Sequence, residues 1–509
     1  DPEMGIMDHI EVAPAGFINF FIQPQALVHE LAAIVHEKNF LVPQASAANT
    51  ILLEYSQPNT HKEFHVGHVR NVALGAALIN IYRAGGYNVT ALNYIGDIGN
   101  HVAKCLWGLQ KWGKENNNES KGAFLGEVYT KAAQEVEAHP EYKVEVDALQ
   151  RALEGGDKQL VKLWKQTRLW SLAEFKRIYK ELGVSFDHLF FESEVEKDGS
   201  KVVESLLQRG IATHGEGGAI IVDLGQYHLG IFLLLKSDGA TLYATKDLAL
   251  AEKKFAAFSA DISLHVVDER QSLYFKQLFK TLALAGFTPA MLHVPYAFVK
   301  LKEGIMSSRK GNVIHYEDIR DALVARAHEE TLKRHPEWAQ KKITATSHAI
   351  AIAALKFSML RVSNNQVITF DINEALAFDG FTGPYLQYSL ARIASIFKKA
   401  HKRINPPASR FVKGGTKGGF TLAPSEQHLI FLLTQFPDML IKARETHEPS
   451  VLAKYLFELC RAFSTWYEAC PVLTATPEIK KARLALLAAL HKILSEGLYL
   501  LGIPVLKEM

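Results

Sequence analysis

TILLEYSQPNTHKEFHVGHVRNVALGAALINIYRAGGYNVTALNYIGDIG, residues 50–99, is the stretch that decides the fold. Residues 50–55 form a short apolar run, and 57–67 form a polar loop. Residues 69–84 carry apolar side chains at helical spacing and close on Gly85-Gly86, after which 88–94 is again strand-like. Strand, helix and strand at these lengths make a βαβ unit, and such units build parallel sheets.

Upstream, residues 10–22 read as a single strand around a turn at Pro14-Ala15-Gly16, and 24–41 as an amphipathic helix that runs to a break at Pro43. The opening DPEMG reads as a cut end. Since one strand cannot stand alone, a domain is expected to precede it. Downstream, 109–200 is charged and helical with no strand pairs, which marks an insertion. Strand character returns at 219–224, 231–236, 263–267 and 298–300. Beyond residue 316 helical patterns cover 317–334, 345–362, 383–403, 425–444, 450–469 and 477–500. Pro406-Pro407 and two Gly-Gly pairs make 404–424 a basic loop.

A chain of 509 residues exceeds one compact core and implies two or three domains. The formal net charge of +3 is too small for nucleic-acid binding through bulk charge, so any such partner needs a local basic face. The three cysteines, Cys105, Cys460 and Cys470, form no CxxC pair, which argues against a disulfide framework or a thiolate zinc site. No apolar run is expected to reach the length of a membrane span, and a cytoplasmic protein is expected.

His65-Val66-Gly67-His68 stands between the strand and the helix of the βαβ unit. A helix N-terminus offers free N–H groups and a positive dipole end to a phosphate. Two imidazoles three residues apart share a face there and can donate to phosphate oxygens. Gly67 lets a flat ring such as adenine approach the backbone. Taken alone, the tetrapeptide also reads as a helix start that happens to carry two histidines. The second segment, Met306-Ser307-Ser308-Arg309-Lys310-Gly311-Asn312, is small, hydroxylated and cationic, suited to closing on a polyphosphate. Alone, it is an ordinary basic surface turn.

Together, in this order and at the two ends of a parallel α/β region, the two segments resemble the HIGH and KMSKS signatures of the class I aminoacyl-tRNA synthetases. The surroundings narrow the family. EYSQPNTHKEFHVGHVRN with Asn93-Tyr94-Ile95-Gly96-Asp97-Ile98-Gly99, SDGATLYATKD (237–247), DERQSLYF (268–275), FTGPYLQYSLAR (381–392) and GLYLLGIPVLKEM at the end are similar to arginyl-tRNA synthetases. The resemblance runs from about residue 10 to the last residue, apart from the insertion and the 404–424 loop.

The resemblance implies an α/β fold: a Rossmann-like parallel-sheet catalytic domain (24–316) with a helical insertion (109–200), then a stem-contact linker (317–370) and an all-α anticodon-binding domain (371–509). Residues 1–23 would be the remnant of an additional N-terminal tRNA-binding domain. It implies an arginine–tRNA ligase using ATP with Mg2+, with L-arginine and tRNA(Arg) as partners and no fixed metal site, expected to be a monomer. His65, Gly67, His68, Met306, Ser307, Ser308 and Lys310 would hold ATP, with Lys62, His65, His68 and Lys310 catalytic. Glu54 and Asp247 would pair with the guanidinium, with Tyr243 as an added acceptor and Asn59 and Gln271 at the amino-acid end. A guanidinium needs such carboxylates, being planar, permanently charged and donor-only.

Two departures matter. Ser308 occupies the place of the usual second lysine of KMSKS, and Lys62 is taken to supply the missing charge, as in arginyl enzymes. Gln57 stands where many relatives have serine. In the helical part, Tyr388 and Arg392, four apart, would form a stacking platform, and Lys398, Lys399, Lys402 and Arg403 a basic strip. A class I synthetase of other specificity and an inactive tRNA-binding paralogue are the competing readings.

Overall fold

The computed structural model describes residues 6–37, 50–113, 120–237, 242–302, 315–401 and 422–509. The chain opens with strands β1 (Met7–Ala13) and β2 (Phe17–Ile22) and helix α1 (Pro24–His36). The βαβ unit follows as β3 (Thr50–Glu54), α2 (Val66–Ala84) and β4 (Asn88–Ile95). Helices α3 (Asn100–Trp112), α4 (Lys121–Ala138), α5 (Tyr142–Glu154) and α6 (Lys158–Glu181) lead to β5 (His188–Phe191) and α7 (Glu192–Gln208). Next come β6 (Thr213–His214), β7 (Ile220–Asp223), β8 (Ile231–Leu235), α8 (Tyr243–Phe258), β9 (Ile262–Asp268), α9 (Ser272–Leu284), β10 (Ala290–Tyr296) and β11 (Val299–Leu301). The remainder is α10 (Tyr316–Arg334), α11 (Gln340–Leu360), β12 (Ile368–Phe370), α12 (Ile372–Ala375), α13 (Gly383–Lys399), α14 (Pro424–Thr434), α15 (Phe436–Glu445), α16 (Pro449–Ala469) and α17 (Pro477–Leu500).

The central sheet is parallel, in the order β10-β9-β3-β4-β5. From β3 the chain winds outward through β4 and β5, then returns to lay β9 and β10 on the other side. The strand order therefore reverses between β3 and β9, the place where open α/β sheets bind ligands beyond their carboxyl ends.

Four expectations are corrected. Residues 10–22 are not one strand: β1 and β2 form an antiparallel hairpin around the Pro14–Gly16 turn, with Met7 opposite Ile22. Its apolar side chains Ile10, Val12, Phe17, Ile18 and Phe20 are exposed, and only Ile22 at its end packs against the core. The stretch 109–200 is not free of strands, because β5 closes one edge of the sheet by pairing with β4. The strands near 220 and 231 belong to a separate antiparallel sheet, β6-β7-β8. Beyond residue 316 the chain is not wholly helical, since β12 pairs with β11.

By length and composition α11 could cross a membrane, contrary to the expectation that no apolar run reaches that length. Yet 78% of its most apolar window is buried inside the protein, and a helix apolar all round is a core helix. It packs on α2, which is itself buried on nearly every side. Gly75 is required there, because a Cβ would sit 2.3 Å from the Tyr55 ring. Arg70 fixes α2 from the other side, donating to the carbonyls of Gln366 at 2.8 Å and Asn364 at 3.0 Å. Satisfied by main-chain oxygens, the guanidinium is tolerated in the core and holds α2 at a set height above the sheet.

Candidate active site

The loop from β3 to α2 is forced into an unusual path, with φ of 77° at Ser56, 44° at Gln57 and 64° at His61. Such angles persist only where surroundings over-determine them. Here the Ser56 N–H donates to Asn71 Oδ1 at 2.5 Å, that of Gln57 to Asn93 Oδ1 at 3.1 Å, and that of His61 to Ser171 Oγ at 2.9 Å. The His61 ring lies between the hydroxyls of Thr60 and Thr167, at 2.9 and 2.8 Å. Helices α2 and α6 and strand β4 thus clamp the loop that carries the histidines.

His65 caps α2. Its Nδ1 accepts from the Gly67 N–H at 3.1 Å, while its own N–H donates to His68 Nδ1 at 3.2 Å, and the two rings stack at 3.8 Å. These bonds place each ring proton on Nε2. Burial, with help from His315 and Lys62, pushes His65 down to about 4, and burial with His65 and Lys62 pushes His68 well below its ordinary value. Both are therefore neutral Nε2–H donors at pH 7. Gly67 keeps this arrangement compact, a Cβ there lying 3.0 Å from the His65 ring.

A cleft of about 860 Å³ lies at the carboxyl ends of β3, β4 and β9. Its walls hold His65, Gly67, His68, Glu54, Asn59, Tyr243, Asp247 and Gln271, so the residues expected from distant parts of the sequence converge. Lys62 is not on its wall. Its Nζ lies over the Tyr129 ring of α4, 5.2 Å from the centroid, and burial with Lys104 lowers its pKa. Met306, Ser307, Ser308 and Lys310 lie outside the described residues.

The acids in the cleft are not equivalent. Glu54, 4% exposed, accepts from Lys254 Nζ at 2.8 Å and from Gln57 Nε2 at 3.2 Å, with His265 Nδ1 3.5 Å away. Burial alone would raise its pKa, but Lys254 and His265 overcome that and hold the carboxyl well below the usual carboxylate range. Glu192, which the sequence reading missed, pairs with Lys246 at 3.0 Å. It opens α7 after β5, and the edge it belongs to was hidden once 109–200 was read as insertion. Asp247 differs from both. Among the described residues no ion pair joins it to a cation, and its Oδ2 accepts from the Tyr274 hydroxyl. Burial, opposed by Tyr274 and assisted by Glu54, pushes its carboxyl up to about 7. The expected phenol partner, Tyr243, lines the same cleft but is 60% exposed; the tyrosine bonded to Asp247 is Tyr274.

In the helical part, Phe463 and Trp466 are buried core with Arg461 exposed at their edge. Tyr388 is exposed, but Arg392 lies over the Tyr467 ring of α16, 4.5 Å from its centroid. Lys398 pairs with Glu508 at 2.9 Å, and Lys399 is exposed. Lys402 and Arg403 lie outside the described residues.

Comparison with known proteins agrees with this geometry. The family described as class I (R) tRNA synthetases, catalytic domain, matches residues 30–372, and the DALR anticodon binding domain matches 386–509. The arginine–tRNA ligase of Bdellovibrio bacteriovorus is 36% identical over 98% of this chain and 86% of its own, and that of Halothermothrix orenii 33% over 97% and 86%. Among solved structures, Thermus thermophilus arginyl-tRNA synthetase superposes with a TM-score of 0.84 at 27% identity, covering 99% of this chain and 89% of its own. In its sheet, its histidine-capped helix and its helical C-terminal part alike, the chain belongs to the arginyl-tRNA synthetase family of ligases.

Proposed function

We propose that this protein activates L-arginine with ATP to arginyl-adenylate and then transfers the arginyl group to the 3′ end of tRNA(Arg), as a cytoplasmic monomer. The observation that carries this reading is Asp247, an acid on the cleft wall that has no paired cation among the described residues, beside two acids that each hold a lysine. A permanently charged guanidinium is the group such a site lacks. In the first step the arginine carboxylate attacks the α-phosphorus of ATP, and the bond to the leaving pyrophosphate breaks. His65 and His68, as neutral Nε2–H donors, stabilise the charge that develops on the phosphates. In the second step a ribose hydroxyl of the tRNA attacks the arginyl carbonyl and AMP leaves. We assign Asn59 and Gln271 to the amino-acid end, and Met306, Ser307, Ser308 and Lys310, outside the described residues, to the phosphates. Magnesium travels with ATP; among the described residues no cluster of three or more His, Cys, Asp or Glu could hold it. Residues 371–509 read the anticodon, with Tyr388, Arg392, Lys398 and Lys399 on the tRNA side.

The test is ATP–pyrophosphate exchange with arginine or lysine, with and without tRNA(Arg). Exchange with arginine alone among the amino acids, dependent on tRNA as the family resemblance implies, is expected. Equal exchange with lysine, or none under any condition, would sink the proposal. Lys62→Ala is expected to slow activation by about tenfold or more, through loss of positive charge near the phosphates. An unchanged rate would make Lys62 an ordinary loop lysine.

The state of Asp247 adds a pH dependence. Guanidinium binding needs the carboxylate, so below about 7 arginine must first displace a proton, and its Kd should rise about tenfold per pH unit. The sign for stability is opposite to that of a salt-bridged acid. The folded value lies above the ordinary 3.8, so ligand-free stability from this group is present at low pH and lost as pH rises toward about 7. The increase in thermal midpoint on adding arginine should therefore grow between pH 6 and 8. Calorimetric titration across that range checks it, and a flat Kd would contradict it.

A further inference from the structure

Leu92 on β4 stands in register with Glu54 on β3, and Tyr94 lies two residues further along. Side chains alternate along a strand, so Tyr94 projects from the same face as Glu54, one row nearer the cleft. Its ring packs against the cluster of Leu52, Phe190 and Leu250 between the sheet and α8, and the residue forms part of the cleft wall. The hydroxyl oxygen is buried and makes no hydrogen bond among the described residues. Its neighbours on that wall are all engaged: Glu54 with Lys254, Glu192 with Lys246, Asp247 with Tyr274. A buried hydroxyl left unpaired costs stability, and phenylalanine would fill the same space without that cost.

We propose that Tyr94 is a specificity-determining residue of the arginine pocket, its hydroxyl oxygen accepting one N–H of the substrate guanidinium beside Asp247. This rests on the reading of Asp247 as the guanidinium anchor. A guanidinium carries five N–H donors and no acceptor, and one Asp247 oxygen is already occupied by Tyr274. The other acids on the wall are held by Lys254, Lys246 and Arg270, so a further acceptor is needed to satisfy the planar cation. Tyr94 supplies it without adding charge, since burial and the nearby Asp247 keep its phenol neutral. A lysine ammonium, a compact point charge, has less use for a second acceptor set to one side of the carboxylate. Tyr94 therefore separates guanidinium from ammonium.

The experiment is Tyr94→Phe in the full chain, read by arginine- and lysine-dependent pyrophosphate exchange with tRNA present, together with the thermal midpoint without ligand. The expected result is a KM for arginine raised about tenfold or more and a narrowed preference over lysine, with KM for ATP unchanged. The ligand-free midpoint should stay level or rise, because an unpaired hydroxyl has been removed. An unchanged KM for arginine overturns the proposal, and so does a lowered midpoint accompanied by equal losses on arginine and ATP. Asp247→Asn, run in parallel, separates the two readings. A large loss there with none in Tyr94→Phe removes only Tyr94, whereas no loss in either removes the pocket.

Discussion

Asp247→Asn is expected to lower kcat/KM for arginine by between two and four orders of magnitude, about 3–5 kcal/mol. The substitution preserves shape, and the amide oxygen can still accept from the Tyr274 hydroxyl, so the fold has no reason to change. What disappears is the charge facing the bound guanidinium, in a cleft whose other acids are already paired, Glu54 with Lys254, Glu192 with Lys246 and Asp268 with Arg270. No neighbouring carboxylate can take over. KM for ATP should stay near its original value, since the histidines proposed to face the phosphates, His65 and His68, sit at the N-terminus of α2, whereas Asp247 is on α8. The free variant should be as stable as the parent or slightly more so above pH 7, because a carboxyl that ionises reluctantly has been replaced by a neutral amide. Steady-state exchange kinetics with arginine varied at saturating ATP decide the matter, and near-parental values would take Asp247 out of the pocket.

The second large effect is on stability. Lys254→Met should destabilise the catalytic domain by about 3–5 kcal/mol, as breaking a buried pair by removing one partner does. Lys254 is 1% exposed and its Nζ lies 2.8 Å from Glu54 Oε2, so nothing from solvent replaces it. Without Lys254 the burial that already opposes ionisation of Glu54 goes largely unanswered, and the carboxyl should take up a proton near neutral pH. In the parent protein the pair stabilises at neutral pH. Its folded pKa lies below the ordinary 4.5, so that contribution is present above 4.5 and lost as pH falls through the lower folded value. Glu54→Gln combined with Lys254→Met should recover most of the loss, since a neutral amide needs no counter-ion. Urea titration followed through the catalytic-domain transition checks this. A single variant within about 1 kcal/mol of the parent would show that Glu54 does not depend on Lys254.

This pair also changes how Glu54 is understood. The sequence reading set Glu54 and Asp247 side by side as carboxylates for a guanidinium. In the structure Glu54 is engaged by a lysine 200 positions away, which places its charge in the architecture of the cleft wall, while Asp247 has no cation partner among the described residues.

The sequence by itself determined the elements whose signals are local. An apolar strand, a helix closed by Gly85-Gly86 and a second strand are each written within a few turns of chain, and β3, α2 and β4 appear where the pattern put them. The helix start near His65-Val66-Gly67-His68 was equally legible, because a helix start and its first turn involve neighbouring residues only, whereas the capping role of the His65 ring emerged from the structure. Signals diluted by their surroundings were lost. β5 is four residues inside a charged helical stretch, and β10 carries Pro295, which reads against a strand even though this strand stands at the sheet edge, where a missing N–H is tolerated. Periodicity could not assign β7 and β8 to their own antiparallel sheet, since it specifies which face of a strand is apolar and says nothing of its partner. Only the tertiary structure decided which acid is neutralised, which tyrosine reaches Asp247, and that the Tyr94 hydroxyl is buried in the cleft wall with no hydrogen bond among the described residues. Those facts depend on distances between side chains far apart in the chain, and the dielectric and partners of a buried charge exist only once the fold has brought them together.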